Sequence, residues 1–183
     1  MASIALETER LLLRLPVAAD VPAAAELLTD PEVMRFLGGE TVPREHVGDV
    51  VERWLERWRT IGMGPFMIER QADGRVLGRA GILVWDSRCW QHTTPAAAGP
   101  SAQPELGWAL ARSAWGHGYA TEAARAVRDW ARAERDVEHL ISLIAPDNTA
   151  SQGVARRLGA TPGATVRLFD SGDVVVWTHP APG

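Results

Sequence analysis

The chain has 183 residues, of which 46% are hydrophobic and 23% charged, and its formal net charge is −4. These values are typical of one globular domain with a sizeable core, and without a basic stripe they give no reason to expect a nucleic acid as the main ligand. No apolar run approaches the roughly 20 residues that span a bilayer, and the N-terminus lacks a secretory profile. A single cysteine, Cys89, excludes an internal disulfide framework. We therefore expect one cytoplasmic domain over residues 1–183 that does not insert into a membrane.

The first third of the chain predicts one strand followed by helices. We predict a strand over residues 11–16 and helices over residues 20–28, 32–37 and 44–60. Asp20 and Asp30 are each followed by a proline within two residues, an arrangement that is common at helix starts. Trp54 and Trp58 lie four residues apart in the third helix, so we expect them on its buried face.

The middle of the chain predicts a hairpin and then a long loop. Two strand-like runs, residues 65–70 and 76–85, flank Asp73-Gly74, a pair that strongly favours a tight turn between antiparallel strands. Residues 86–104 contain three prolines and show no hydrophobic period. We therefore predict a long mobile loop there, which is either functional or disordered.

The second half is organised around a strand, a glycine turn, a helix and another strand. The strands cover residues 105–111 and 139–145, the turn covers residues 115–121, and the helix that follows has an amphipathic period. This order predicts a right-handed crossover between two parallel strands. A further helix over residues 149–158 and two last strands, 164–169 and 173–178, joined by a turn at residues 170–172, complete a mixed α/β (α+β) domain with about seven strands, mostly antiparallel.

The glycine turn is a candidate phosphate site. Helix N-termini carry unpaired N–H groups and a positive dipole end, which favour an anion. A P-loop would need a lysine in the turn, and a dinucleotide fold would need a third glycine in place of Thr121 and several βαβ units. Glu138 stands where a dinucleotide fold would hold the ribose, but this chain offers only one crossover.

Four segments together resemble a known family. The turn and the start of its helix read Trp-Gly-His-Gly-Tyr-Ala-Thr-Glu-Ala over residues 115–123, which resembles motif A of the GNAT acetyltransferases. Residues 105–108 and 148–159 fall where that family has its neighbouring elements. Residues 8–14 and 30–36 are similar to the ribosomal-protein N-terminal (RimJ/RimL-type) branch, so the resemblance covers nearly the whole chain.

The resemblance implies a GNAT fold with a splayed pair of parallel strands and acetyl-CoA as the co-substrate, without a metal. The pantetheine would lie between the splayed strands, and the Leu110 N–H would face the thioester carbonyl. The pyrophosphate would lie in the glycine turn, and Arg156 or Arg157 would reach the 3′-phosphate, unless the two arginines form only a solvated helix face. The expected cofactor-binding residues are Leu110, Ala111, Arg112, Gly116, His117, Gly118, Tyr119, Ala120, Thr121, Asn148 and Arg157.

Two residues are candidates for proton transfer. Amine attack on a thioester needs a base, for which Glu105 is the first candidate, ahead of His92 and Asp86. Ser151 is the candidate acid for the leaving thiolate. Each has an alternative interpretation: Glu105 as a strand-edge carboxylate or ion pair, and Ser151 as a local capping group.

The chain departs from the family pattern at three places. Trp115 replaces the usual Gln or Arg at the start of the motif, Ala155 replaces the tyrosine that many members use as an acid, and Ala160 stands where phenylalanine is common. The resemblance implies an acetyl-CoA-dependent N-acetyltransferase acting on a primary amine, either a protein N-terminal α-amine or a small molecule. A CoA-binding module without turnover and a homodimer are open alternatives.

Overall fold

One continuous sheet organises the chain in the computed structural model, which describes residues 4–168 and 172–181. Within these residues the sheet has nine strands in the order β1-β2-β3-β4-β6-β7-β9-β8, with β5 paired to β4 beside this path. The strands are β1 (Ala5–Glu7), β2 (Leu11–Arg14), β3 (Pro65–Arg70), β4 (Val76–Asp86), β5 (Gln91–His92), β6 (Ala102–Leu110), β7 (Ile141–Ile144), β8 (Thr161–Leu168) and β9 (Gly172–Thr178).

Six α-helices cover or edge this sheet in the described part of the chain. They are α1 (Val21–Leu28), α2 (Pro31–Met34), α3 (Val47–Ile61), α4 (Pro95–Ala98), α5 (Tyr119–Arg135) and α6 (Thr149–Arg157). The helix predicted over residues 32–37 is shorter than expected, although Asp30 does cap it by accepting the Glu32 N–H. Asp20 precedes α1, but its carboxylate binds Arg14 and the Val17 N–H instead of capping that helix.

The two faces of the sheet bury different helices because side chains alternate along each strand. Phe66 of β3 belongs to the core beneath α5, whereas Met67, its neighbour in sequence, packs with α1, α2 and α3. Trp54 and Trp58 are both buried, as the period of α3 predicts. Trp58 packs at 4.7 Å from the Phe66 ring and 5.6 Å from the Trp130 ring, measured between ring centroids.

One pair of neighbouring strands is parallel, and it separates almost at once. β6 and β7 share a single register pair, Glu105 with Ile141, while the other neighbouring strands in the sheet are antiparallel. The predicted crossover is therefore confirmed, with α5 as its helix. The pair also shows the predicted splay, because β6 continues for five residues beyond Glu105 without a partner in β7.

Two expectations about the chain need correction. The sheet has nine strands, where the sequence predicted about seven, because β1 and β5 are too short to show a period. The prediction of a long loop over residues 86–104 is wrong: the segment contains β5, α4, a 3₁₀ turn and the start of β6. Residues 170 and 171 of the predicted last turn lie outside the described residues.

Side chains at the start of the corrected segment explain its order. The Asp86 carboxylate accepts hydrogen bonds from the Arg88 N–H and guanidinium and from the Ser101 hydroxyl, so it ties the two ends of the excursion together. The Arg88 contacts hold the pKa of Asp86 well below its usual range. A carboxylate bound in this way is a weak base, which disfavours Asp86 as the proton acceptor considered from the sequence.

Candidate active site

The opening between β6 and β7 exposes one edge of β6. Ser142 donates its hydroxyl proton to the Leu106 carbonyl, and the Trp115 indole donates to the Leu110 carbonyl, both from the β7 side. Because main-chain groups alternate in direction along a strand, Trp108 lies with its N–H and C=O on this same side, as does the Leu110 N–H. The opening is therefore lined by main-chain donors and an acceptor that an extended ligand can pair with.

Ala111 and Arg112 face elsewhere with their main-chain groups. The Ala111 N–H donates to the Leu77 carbonyl on β4, and its carbonyl accepts the Ala114 N–H. The Arg112 carbonyl accepts the Trp115 N–H, and its side chain forms an ion pair with Asp30 at 2.8 Å. Of Leu110 and Ala111, therefore, Leu110 is the residue whose main-chain N–H lies on the side of the opening.

A buried hydrogen-bond chain lies where the two strands separate. Ser142 is 2% exposed and His179 is 4% exposed, and the Ser142 Oγ lies 2.9 Å from His179 Nε2. Since the hydroxyl proton is donated to the Leu106 carbonyl at 2.6 Å, the His179 Nε2 must carry a proton and donate it to Ser142. Burial, followed by the charges of Arg128 and Arg132, lowers the pKa of His179 to about 4, so the ring is neutral.

The Glu105 carboxylate is buried beside this opening. It lies on the sheet face that packs against α1, α2 and α3, because Leu106 next to it belongs to the opposite core. Burial raises its pKa, and this effect outweighs the hydrogen bond from the Trp85 indole, the charge of Arg79 and the hydrogen bond from the Leu143 N–H on β7. A carboxylate that is desolvated in this way binds a proton more readily than an exposed one.

Space remains next to the Glu105 carboxylate. A Cβ atom built on Gly107, on the same face of β6, would meet one atom of the described residues within 4 Å, Glu105 Oε1 at 3.7 Å. Arg79 lies on that face too, with its guanidinium 5.4 Å from the centre of the Trp54 ring and its Nε buried without a partner in the described residues. Arg79, Glu105 and Gly107 therefore lie on the same face of the sheet, the one covered by α3.

The glycine turn adopts the backbone conformation that its composition predicts. Gly116 and Gly118 have φ values of 79° and 80°, a region that favours glycine, and Gly118 directly precedes α5. A Cβ on Gly116 would meet no atom of residues 4–168 and 172–181 within 4 Å, so the turn is open at this position. His117 is exposed, Tyr119 is buried, and Ala120 and Thr121 lie in the first turn of α5, whose N–H groups have no partner inside the helix.

The third predicted segment begins α6. The Asn148 side chain accepts the Ser151 N–H at 3.1 Å and therefore caps the helix. Ser151 is partly buried, Ala155 is fully buried and Arg157 is exposed on the last turn. Asn148 therefore has a structural role at the start of α6, and the Ser151 hydroxyl lies one turn into the helix.

A cavity of about 570 Å³ lies beside residues 111 and 112, next to the opening. It is lined by Glu26, Thr29, Asp30, Pro31, Glu32, Ala111 and Arg112. Its walls come from α1, α2 and their connection. Two of its three carboxylates form ion pairs, Asp30 with Arg112 and Glu26 with Arg75, so Glu32 is the lining carboxylate without an ion pair in the described residues.

Several residues of this site were missed from the sequence. Trp108 could have been found, because the Leu110 prediction and strand alternation imply it. Ser142 and His179, and Arg10, which contacts the glycine turn, carry no local signal and meet their partners only in the folded chain. Within the described residues, no group of three or more His, Cys, Asp or Glu side chains is arranged to hold a metal ion, and no helix is long and apolar enough to cross a membrane.

Comparison with known proteins agrees with this geometry. The Bacillus subtilis (strain 168) protein YkkB is 32% identical in an alignment of 174 positions that covers 92% of this chain and 92% of that one. The crystal structure of an acetyltransferase from Agrobacterium tumefaciens str. C58 matches with a TM-score of 0.77 and 31% identity, over 98% of this chain and 96% of that one.

A more distant structure shares the fold. RimL, a ribosomal L7/L12 α-N-protein acetyltransferase solved in complex with coenzyme A, matches with a TM-score of 0.72 and 19% identity, over 96% of this chain and 97% of that one. Residues 10–161 match the acetyltransferase (GNAT) domain family. Because this match covers most of the chain, the protein belongs to the GNAT acetyltransferase family.

Proposed function

We propose that this protein transfers the acetyl group of acetyl-CoA to a primary amine. The observation that carries the proposal is the opening beyond the Glu105–Ile141 pair, which exposes the Trp108 and Leu110 main-chain groups and leads to the open turn at Gly116 and Gly118. A pantetheine chain has amides that can pair with such an edge, and a pyrophosphate suits the N-terminus of α5. The residues present therefore fit CoA.

Leu110 and Trp108 have different parts in this proposal. The Leu110 N–H faces the thioester carbonyl and stabilises the oxyanion that develops there, an effect that lowers barriers by about 3 kcal/mol in other acyl transfers. The Trp108 N–H and C=O pair with the pantetheine amides. The N–H groups of Gly116, His117, Gly118, Tyr119, Ala120 and Thr121 surround the pyrophosphate, Arg157 serves the 3′-phosphate, and Asn148 contacts the pantetheine. The contacts expected for Ala111 and Arg112 stay predictions.

Glu105 is proposed as the base. The amine nitrogen attacks the thioester carbonyl carbon, a C–N bond forms, and the proton of the amine passes to the Glu105 carboxylate directly or through water. The raised pKa of Glu105 suits this role, since a general base works best with a pKa near the working pH. The C–S bond then breaks, and the Ser151 hydroxyl passes its proton to the CoA thiolate while it takes up another from water.

A protein N-terminal α-amine is the proposed acceptor, and the cavity beside α1 and α2 is its proposed site. The Glu32 carboxylate in its lining favours a cationic amine, and the RimL structure is that of an enzyme that acetylates such an amine. A small amine, such as a polyamine or an antibiotic, would suit the same charge. A cytoplasmic location belongs to the same proposal.

The test is a thiol-release assay with acetyl-CoA and a panel of amines. The panel contains peptides with a free N-terminus, the same peptides with a blocked N-terminus, a polyamine and an aminoglycoside. We expect turnover with free peptides and none with blocked ones. Turnover only with small amines would change the acceptor, and CoA binding without any turnover would favour a non-catalytic module.

A further inference from the structure

Arg10, near the N-terminus, contacts the glycine turn at residues 117–119. Arg10 donates from Nη1 to the His117 carbonyl at 3.0 Å, in the middle of the turn. The same guanidinium stacks on the Tyr119 ring, 4.6 Å from its centre, and its Nη2 lies 3.5 Å from where a Cβ of Gly118 would be. Three consecutive parts of the turn therefore contact one side chain that is more than 100 residues away in sequence.

Arg10 is itself held by Glu122 in the first turn of α5. Its Nε donates to Glu122 Oε2 at 2.8 Å, and its Nη2 lies 2.6 Å from the same oxygen. The other oxygen, Oε1, accepts the Thr8 hydroxyl at 2.6 Å and the Arg10 N–H at 2.9 Å. Burial alone would raise the pKa of Glu122, but the hydrogen bonds from Thr8 and Arg10 outweigh it and lower the pKa, so Glu122 is a carboxylate.

The contact with the His117 carbonyl has a geometric consequence for the next amide. The C=O of His117 and the N–H of Gly118 belong to one planar trans peptide, so they point in opposite directions. Because Arg10 binds the His117 oxygen, the Gly118 N–H is directed away from Arg10. Glycine at positive φ is free to rotate this peptide, and Arg10 removes that freedom.

We propose that Thr8, Arg10 and Glu122 are positioning residues that orient the Gly118 amide toward the cofactor pyrophosphate. This inference rests on the proposed function, because it assumes that the turn binds CoA. The charge of Arg10 is matched by that of Glu122, so the pair is neutral and acts by orienting the turn. Arg10 is not a ligand of the phosphate in this account.

The test compares Arg10→Lys, Arg10→Ala and Glu122→Gln, with Arg59→Lys as the control. Arg59 also binds two carboxylates, Glu52 and Glu56, but on the exposed side of α3. We expect each of the three variants at Arg10 and Glu122 to raise the Kd for CoA in calorimetry by about tenfold, since hydrogen bonds to charged groups contribute about that factor. The control should bind CoA like the parent protein.

Two kinetic readouts separate positioning from general damage. The KM for acetyl-CoA should rise with kcat unchanged, and the use of acetylpantetheine, which has no pyrophosphate, should not change in any variant. Circular dichroism and thermal melting check that each variant folds. A parallel loss with acetylpantetheine would mean that the variants disturb the whole site, and it would overturn the proposal.

Glu122→Gln distinguishes orientation from charge. If Arg10 bound the phosphate directly, removing the neighbouring negative charge would tighten CoA binding, and Arg10→Lys would keep most of the affinity. Either result overturns the proposal. Amide hydrogen exchange without ligand gives an independent check: the Glu122 N–H, which donates to the Gly118 carbonyl at 3.2 Å, should exchange faster in Arg10→Lys. If the parent protein does not bind CoA while this exchange still changes, the proposed function is wrong, but Arg10 still orders the glycine turn.

Discussion

Ser142 is the residue whose loss should affect the β6–β7 opening most directly. Replacing it with alanine removes the hydroxyl that bridges the Leu106 carbonyl and His179 Nε2. Both partners are then left in a buried place without a hydrogen bond, and each unsatisfied buried group costs about 1–3 kcal/mol. We therefore expect Ser142→Ala to lower the free energy of unfolding by about 3 kcal/mol, which corresponds to a fall in Tm of roughly 6–12 °C for a chain of this size.

Urea denaturation followed by far-UV circular dichroism measures this change. Ser113→Ala is the matched control, because Ser113 is exposed and its hydroxyl accepts a single hydrogen bond from the described residues, from Arg75 at 3.2 Å. The control should change the unfolding free energy by less than about 0.5 kcal/mol. If Ser142→Ala behaves like the control, the buried hydrogen bonds of Ser142 do not stabilise the place where β6 and β7 separate, and this reasoning is wrong.

Four further predictions concern chemistry, pH and the turn. Glu105→Gln should lower kcat/KM by roughly 10²–10⁴-fold and abolish the acidic limb of its pH profile, which in the parent protein should lie above the usual carboxyl range because burial raises the pKa of Glu105; an unchanged kcat across pH would remove Glu105 as the base. Ser151→Ala should lower kcat with little effect on the Kd for CoA, and full activity would return Ser151 to a local role. The pKa of His179 is about 4 in the folded protein, below its ordinary value of 6.5, so the unfolded chain binds the proton first as the pH falls. The free energy of unfolding should therefore decrease from about pH 6.5 towards pH 4. Urea titrations at several pH values should show a weaker dependence for His179→Asn. Gly118→Trp should weaken acetyl-CoA binding in calorimetry, since its φ of 80° and its place in the turn do not suit a large side chain; equal affinity would exclude this turn as the phosphate site.

Much of the fold is encoded in local patterns. The helical period of α3 and α5 predicted their buried faces, including Trp54 and Trp58, because a helix that packs on a sheet must bury one side. Asp73-Gly74 predicted the β3–β4 hairpin, and Gly74 does have a positive φ of 68° there. The single crossover at residues 105–144 predicted the parallel pair, because only a helix-length connection returns the chain in the same direction.

The remaining features depend on contacts that leave no local trace. β1 and β5 have three and two residues, too few for an alternating pattern. Residues 86–104 are ordered by Asp86 and Ser101, which bind each other across 15 positions of chain without any hydrophobic period. In the candidate site, the resemblance located the glycine turn, but the link from Arg10 to Glu122 spans 112 positions and is visible only after folding.

The central claim is that CoA lies along β6 from the opening to the glycine turn, and amide hydrogen exchange with and without saturating CoA tests it most directly. We predict slower exchange at the amides of Trp108, Leu110, Gly118 and Ala120 when CoA is present, with little change along β8 at the far edge of the sheet. CoA binding that leaves these four amides unprotected, or that protects another part of the chain, would contradict the account.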